Sequence, residues 1–288
     1  MKVGWCRVQT AWEKYEKLQG VLQSLDRVVV AFSGGVDSTF LLKAALETLG
    51  TDRVLAVTAD SETYPERERL EAIELAKEMN SPHVVISTSE LNIPGYAENP
   101  VNRCYFCKNE LFSHLIPIAQ EKGYPHVVFG AIADDLGDYR PGLQAAKENG
   151  VRAPLQEVML YKREIRYLSR ELGVRTWDKP SFACLSSRIP YGQVITQEKL
   201  SMIDRAEAFL MDLGFRQVRV RHHEQTARIE VTPQEMSAIV ETAGMVVEKF
   251  KEIGFKYVTL DLQGYRTGSL NETLDGKTKA HTEFRKAE

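Results

Sequence analysis

The stretch that decides the fold is "VVVAFSGGVDST", residues 28 to 39. Its first half is a short, continuous, β-branched apolar run, the pattern of a strand covered on both faces and therefore of the centre of a parallel sheet. Two glycines then end the strand, and an Asp with two hydroxyl residues opens a helix. Glycines let the backbone approach an anion and adopt positive φ, and the helix that follows points its open N–H groups and positive dipole end at that anion. The pattern is not a Walker loop, because no Gly-Lys-Ser/Thr follows and no lysine within it reaches terminal phosphates. A glycine-rich turn that binds nothing is the plain alternative.

Outward from this stretch, "RVLAVTA" (53–59), "HVVIST" (83–88) and "HVVFGA" (126–131) repeat the apolar run. They are separated by helical segments such as "PERERLEAIELAKEM", where Leu70, Ile73 and Ala76 recur at helical spacing. Alternating strands and helices predict an α/β fold, a parallel sheet with helices on both faces. From about residue 193 the rhythm changes. A helix over 196–213 with Leu200, Ile203, Ala206 and Leu210 on one face leads to "QVRVRHH", "ARIEV", a helix from about 234 to 253 and the strand "KYVTLDL". This predicts a smaller C-terminal α+β domain. The expected organisation is 1–176 for the first domain, 177–192 for an interdomain stretch "WDKPSFACLSSRIPYG" with Cys184, and 193–288 for the second domain. By composition that stretch also reads as a plain linker. The tail "DGKTKAHTEFRKAE" is polar enough to be partly disordered.

The chain has 288 residues, 43% of them hydrophobic, enough for two cores. Its net charge of −3, with both signs interspersed, announces no broad surface for nucleic acid. With no apolar run of about twenty residues and no apolar core at the start, no membrane partner is expected and a cytoplasmic location is. In such a chain the four cysteines, Cys6, Cys104, Cys107 and Cys184, point to metal binding, catalysis or inert thiols rather than a disulfide framework. "RCYFCK" (103–108) holds one Cys-x-x-Cys pair with no second pair to complete it. A Cys₃ zinc site with His114 or His126 as fourth ligand, and unconnected thiols, both remain open from the residues alone.

Residues Ser33, Gly34, Gly35, Val36, Asp37 and Ser38 resemble the PP-loop, Ser-Gly-Gly-x-Asp-Ser, of the N-type ATP pyrophosphatases, which split ATP between its α and β phosphates. The resemblance implies that these residues hold pyrophosphate while AMP is joined to a substrate oxygen, with Asp37 helping to hold Mg²⁺. The end of the second strand, Thr58, Ala59, Asp60 and Ser61, is then expected near the adenosine.

Together with "RCYFCK", "KPSFACLSSRIPYG", "GDYRPG" (137–142) and "RVRHHEQTARIEV" (219–231), the loop makes the chain similar to the LarE family. These are sulfur transferases of nickel-pincer nucleotide synthesis. The family adenylates the carboxylates of a pyridinium dicarboxylate mononucleotide and converts them to thiocarboxylates. One version gives up the sulfur of its own cysteine and acts once. The other has three cysteines around a [4Fe–4S] cluster, and this sequence matches the second pattern. The resemblance implies that Cys104, Cys107 and Cys184 are the cluster ligands, leaving one iron for an exogenous sulfide delivered by a sulfide donor. Cys6 is read as an ordinary thiol.

The substrate's phosphate needs cations. In "QVRVRHH" alternation puts Arg219, Arg221 and His223 on one face and Val218, Val220 and His222 on the other, the valines toward the core. A solvated strand face is the bland alternative, and the resemblance instead implies that Arg219 and Arg221 bind phosphate. Ser187 and Arg188 match motif residues that face the active site, Arg188 as a holder of carboxylate or phosphate. Asp138 and Arg140 are site candidates or a local pair fixing their loop. Glu207 is a candidate metal or interface carboxylate, with an exposed helix glutamate the blander reading. The family's homo-oligomers carry over as an expectation. Two rival functions stay open: a cluster-dependent tRNA thiolase, and a non-catalytic ATP-binding module with a zinc staple.

Overall fold

The computed structural model describes residues 2–136, 140–266 and 268–270, with side chains from Gln9 onward. In chain order the elements are α1 (Lys2–Leu25), β1 (Val28–Ala31), α2 (Val36–Leu49), β2 (Val54–Asp60), α3 (Glu66–Glu78), β3 (His83–Ser87), α4 (Arg103–Glu121), β4 (His126–Phe129), α5 (Pro141–Glu148), α6 (Pro154–Glu157) and α7 (Lys162–Glu171). They continue with α8 (Gln197–Asp212), β5 (Arg219–His223), β6 (Thr226–Glu230), α9 (Met236–Glu241), α10 (Ala243–Ile253) and β7 (Tyr257–Leu260). Among the described residues no helix is long and apolar enough to cross a membrane.

The chain forms two compact units. The first comprises residues 1–61, 66–88 and 104–179 and is built on an all-parallel sheet of order β3-β2-β1-β4. Strand β1 is central, as its continuous valines require, and its alternating side chains feed two cores. Val28 and Val30 pack with α1, α2 and α7 residues such as Leu18, Phe40 and Leu168. Val29 packs on the opposite face with Phe112 and Leu115 of α4. Because β2 lies on one side of β1 and β4 on the other, strand order reverses beside β1. The crevice at that switch point is where such sheets bind ligands.

Helix α3 departs from the periodicity read in its sequence. Leu70 is 53% exposed, and Ala72, Leu75 and Ala76 form the buried face. Small Ala72 permits this rotation because it lies against the loop after β1.

The second unit comprises residues 62–65, 89–103 and 180–288. Two short pieces from the first two-thirds of the sequence thus join it. Its sheet, β5-β6-β7, pairs β5 antiparallel to β6 and β6 parallel to β7. Leu200, Ile203, Ala206 and Leu210 of α8 are all buried, as their spacing predicts. The single helix expected over 234–253 is instead two, α9 and α10, broken at Thr242. There the Thr242 hydroxyl donates to the Ala238 carbonyl at 2.8 Å, the local competition with the backbone that β-hydroxyl residues bring, and Gly244 follows.

Candidate active site

In the first unit, β1 delivers the loop Phe32–Gly35 to the switch point and α2 begins at Val36. Only Gly34 of the two glycines uses the left-handed region, with φ +60°. A Cβ there would stand 3.0 Å from Ala72 Cβ and 3.1 Å from Ala72 Cα, so α3 closes the space as well. Gly35 caps α2 with φ −75°, and its carbonyl takes the first intrahelical bond, from Thr39 N–H at 2.9 Å. The N–H groups of the preceding turn are left without intrahelical acceptors, which is the anion-binding arrangement. The loop is braced internally: Ser38 Oγ donates to the Gly35 carbonyl at 3.2 Å and accepts from Ser33 N–H at 3.3 Å. Gly130, just after β4, is a participant that sequence reading missed. A Cβ at this position would meet Ser38 N at 3.0 Å, so only glycine lets β4 approach α2 this closely.

Asp37 does not stand alone. Lys162 Nζ, from the first position of α7, donates to both its carboxylate oxygens at 2.9 and 2.7 Å. Burial pushes the Asp37 carboxyl above its ordinary value, against the pull of Lys162. Lys162 is 125 residues away in sequence, and no local pattern marks it. It lines an open cavity of about 480 Å³ with Asp134, Tyr161, Arg163 and Arg166. At the end of β2, Ala59 and Ser61 are half-buried, and Thr58 Oγ1 donates to the Phe32 carbonyl at 2.8 Å with His83 Nε2 at 2.9 Å. Arg140 is exposed and pairs with Asp135 at 3.1 Å, and Asp138 lies outside the described residues.

Cys104 and Cys107 occupy the first two turns of α4, three residues apart on one helix face, neither in a disulfide. Arg103, the residue before Cys104, donates to Asn99 Oδ1 at 2.8 Å. Asn99 in turn donates to the carbonyls of Ile189 and Pro190 at 3.1 and 2.7 Å. His114 is engaged with Glu110 at 3.0 Å and His126 opens β4. Among the described residues no three of His, Cys, Asp and Glu gather into a group able to hold a metal ion.

In the second unit, Cys184 precedes a short 3-10 turn, Leu185–Arg188, and is likewise in no disulfide. Its carbonyl accepts from Ser187 Oγ at 2.8 Å and from Arg188 Nη1 at 2.9 Å. Arg188, 1% exposed, is committed: Nε and Nη2 fork onto Glu207 at 2.9 and 2.8 Å, and Nη1 also reaches the Ala183 carbonyl. This corrects the reading of Glu207 as an exposed helix glutamate. It is 3% exposed and also accepts from Val220 N–H at 2.8 Å.

The arginines of β5 are buried too, so the solvated-face alternative is overturned. Arg221 is forked onto Glu230 at 2.9 and 2.8 Å and also donates to Ser269 Oγ and the Ser187 carbonyl. Arg219 differs: it donates to the carbonyls of Val218 and Ser181 and stacks over Tyr265, 5.3 Å from the ring centroid. Burial and the neighbouring Arg188 charge pull its pKa below the ordinary value. Among the described residues none of its hydrogen bonds goes to a carboxylate, and the nearby Glu207 charge only partly offsets its burial, so an anion at Arg219 would be welcome.

Comparison with known proteins locates these features in a family. Residues 15–95 match the family model described as NAD synthase. A relative from Lactiplantibacillus plantarum, named pyridinium-3,5-bisthiocarboxylic acid mononucleotide synthase, is 40% identical over 261 residues, covering 91% of this chain and 95% of its own length. The chain belongs to the LarE family. An uncharacterized protein of Synechocystis is 47% identical over 91% of this chain and 98% of its own length. Another, from Methanocaldococcus jannaschii, is 30% identical over 84% and 91%. The match to the LarE relative spans both units, so the family resemblance extends well beyond the phosphate loop.

Proposed function

We propose that this LarE-family chain is the ATP-dependent sulfur transferase that makes pyridinium-3,5-bisthiocarboxylic acid mononucleotide, acting as a cytoplasmic homo-oligomer. A substrate carboxylate attacks the α phosphorus of ATP, giving an acyl-adenylate and pyrophosphate. Hydrosulfide then attacks the acyl carbon, releasing AMP and a proton and leaving a thiocarboxylate. Repetition on the second carboxylate gives the dithio product. The observation that carries the reading is the built phosphate cradle Ser33–Ser38 in a chain 40% identical to a relative with that name.

Ser33, Gly34, Gly35, Val36 and Ser38 hold the pyrophosphate, Ala59 and Ser61 lie toward the adenosine, and Asp37 is the carboxylate offered to Mg²⁺. One carboxylate with phosphate oxygens and waters is an ordinary magnesium set. Arg219, whose hydrogen bonds go to carbonyls rather than to a carboxylate, takes the substrate phosphate, and Arg221 supports it from its pair with Glu230. Arg188 and Ser187 shape the Cys184 turn through its carbonyl, Arg140 belongs to the loop bordering the site, and Asp138 is kept as a further site residue. The three thiols Cys104, Cys107 and Cys184 suit a [4Fe–4S] cluster in donor chemistry, and they are its proposed ligands. Held by these three thiols, such a cluster would supply a position for sulfide from an external sulfide donor.

Iron, acid-labile sulfide and zinc are measured on protein prepared without oxygen, beside a Cys107→Ala variant. About four irons and four sulfides per chain, lost in the variant, are expected. Zinc, or no metal after reconstitution, would overturn the cluster assignment and leave a structural staple or a sacrificial Cys184.

A further inference from the structure

Helix α7 ties the phosphate loop to the chain that leaves the first unit. Lys162 and Arg166 are one helical turn apart and therefore share a face of α7. Lys162 holds Asp37. Arg166 donates from Nη1 to the Trp177 carbonyl and from Nη2 to the Lys179 carbonyl, each at 2.7 Å. Lys179 closes the circuit: its ammonium donates to the Gly34 carbonyl at 3.2 Å while pairing with Glu68 and Glu71 at 2.7 and 2.8 Å. Both ends of the circuit thus rest on the PP-loop, one at the left-handed glycine and one at the first turn of α2. Residues 177–179 are the last of the first unit, and Cys184 follows five residues later.

The circuit is also charged. Lys162, Arg163 and Arg166 line the 480 Å³ cavity, and Arg166 spends its donors on carbonyls rather than carboxylates. A polyphosphate at the loop adds negative charge beside these cations and competes with Asp37 for Lys162. It therefore acts on the same helix face that fixes the exit segment.

We propose that Arg166 is a positioning residue, through which occupancy of the PP-loop by a magnesium-bound polyphosphate tightens the backbone at 177–179 that leads to Cys184. The inference rests on the reading of the PP-loop as a polyphosphate site.

The test uses magnesium pyrophosphate on the full chain, with binding followed by calorimetry and backbone order by amide hydrogen exchange of peptides covering 175–183. In the unsubstituted protein, saturating pyrophosphate slows exchange in these peptides about threefold or more. Arg166→Ala abolishes that slowing even at pyrophosphate concentrations that calorimetry shows to saturate the variant, and Arg166→Lys restores part of it. Should Arg166→Ala not fold, Lys179→Gln opens the circuit at Gly34 and carries the same expectation. Binding without any change in exchange, or full slowing in the alanine variant, overturns the proposal and leaves the PP-loop reading intact. Absence of pyrophosphate binding in the unsubstituted protein overturns both.

Discussion

Around the PP-loop the first unit presents backbone: open N–H groups of a helix start, a left-handed glycine, and an exposed Ser33. The second unit carries guanidinium groups sunk into its core, Arg188 and Arg221 forked onto the buried carboxylates Glu207 and Glu230 and Arg219 held by carbonyls. The first arrangement is compact in sequence and pays no cost for burying charge. The second costs desolvation for every ion and returns it through pairing, which makes it sensitive to loss of a single partner. The fold of a loop built from backbone tolerates changes in side-chain charge but not in conformation, whereas the fold around a buried ion cluster tolerates neither loss nor addition of a charge.

The sharpest test of that contrast at the first unit is Asp37→Ala, where AMP formation should fall by about 10³-fold, roughly 4 kcal/mol in activation free energy, with the fold retained. Near-normal turnover would remove Asp37 from the reaction. In the second unit Glu207→Gln leaves the buried Arg188 uncompensated and should lower stability by about 3 kcal/mol in denaturant unfolding. A loss no larger than that of a surface glutamate would break the contrast. Gly34→Ala should cost about 2 kcal/mol and abolish calorimetric pyrophosphate binding, because it adds strain at positive φ to a clash with Ala72. Arg219→Ala should weaken nucleotide-substrate affinity about 10- to 100-fold while leaving ATP affinity within a few-fold, as read from separate titrations. Equal losses for both ligands would sink the assignment of Arg219 to substrate phosphate.

The smallest effect is acid sensitivity. Burial lowers the pKa of His83 in the first unit and of His222 and His223 in the second. The unfolded chain then binds protons that the folded chain refuses, so this contribution to stability is complete above about pH 6.5 and declines as pH falls below it. Unfolding midpoints measured from pH 7.5 to 5 should show that decline, and His83→Gln or His222→Gln should each flatten part of it. An unchanged slope in both variants would place the acid sensitivity on other groups.

Much of the first unit was readable because its signals are local. A β-branched run, two glycines and a hydroxyl-rich helix start lie within a dozen residues, and the alternation of Val28, Val29 and Val30 between two cores follows from strand geometry alone. The face of α3 is legible only in part: of the stripe Leu70, Ile73 and Ala76, Ala76 is buried and Ile73 half-buried but Leu70 is exposed, because close approach to Gly34 turns the smaller Ala72 inward. The β5 alternation was right in phase, yet periodicity cannot tell a solvated arginine face from a buried one. That depends on whether a carboxylate arrives from another element.

By itself, then, the sequence determined the strand–loop–helix, the parallel sheet, the three thiols and the family signature, all carried by neighbouring residues whose conformational preferences act over a few peptide units. Tertiary structure decided which charges are spent and which remain. Arg188 meets Glu207 across 19 residues, Lys162 meets Asp37 across 125, and Lys179 reaches the Gly34 carbonyl across 145. Only folding brings such groups within hydrogen-bond distance, and burial there makes each unpaired charge costly enough to define a site.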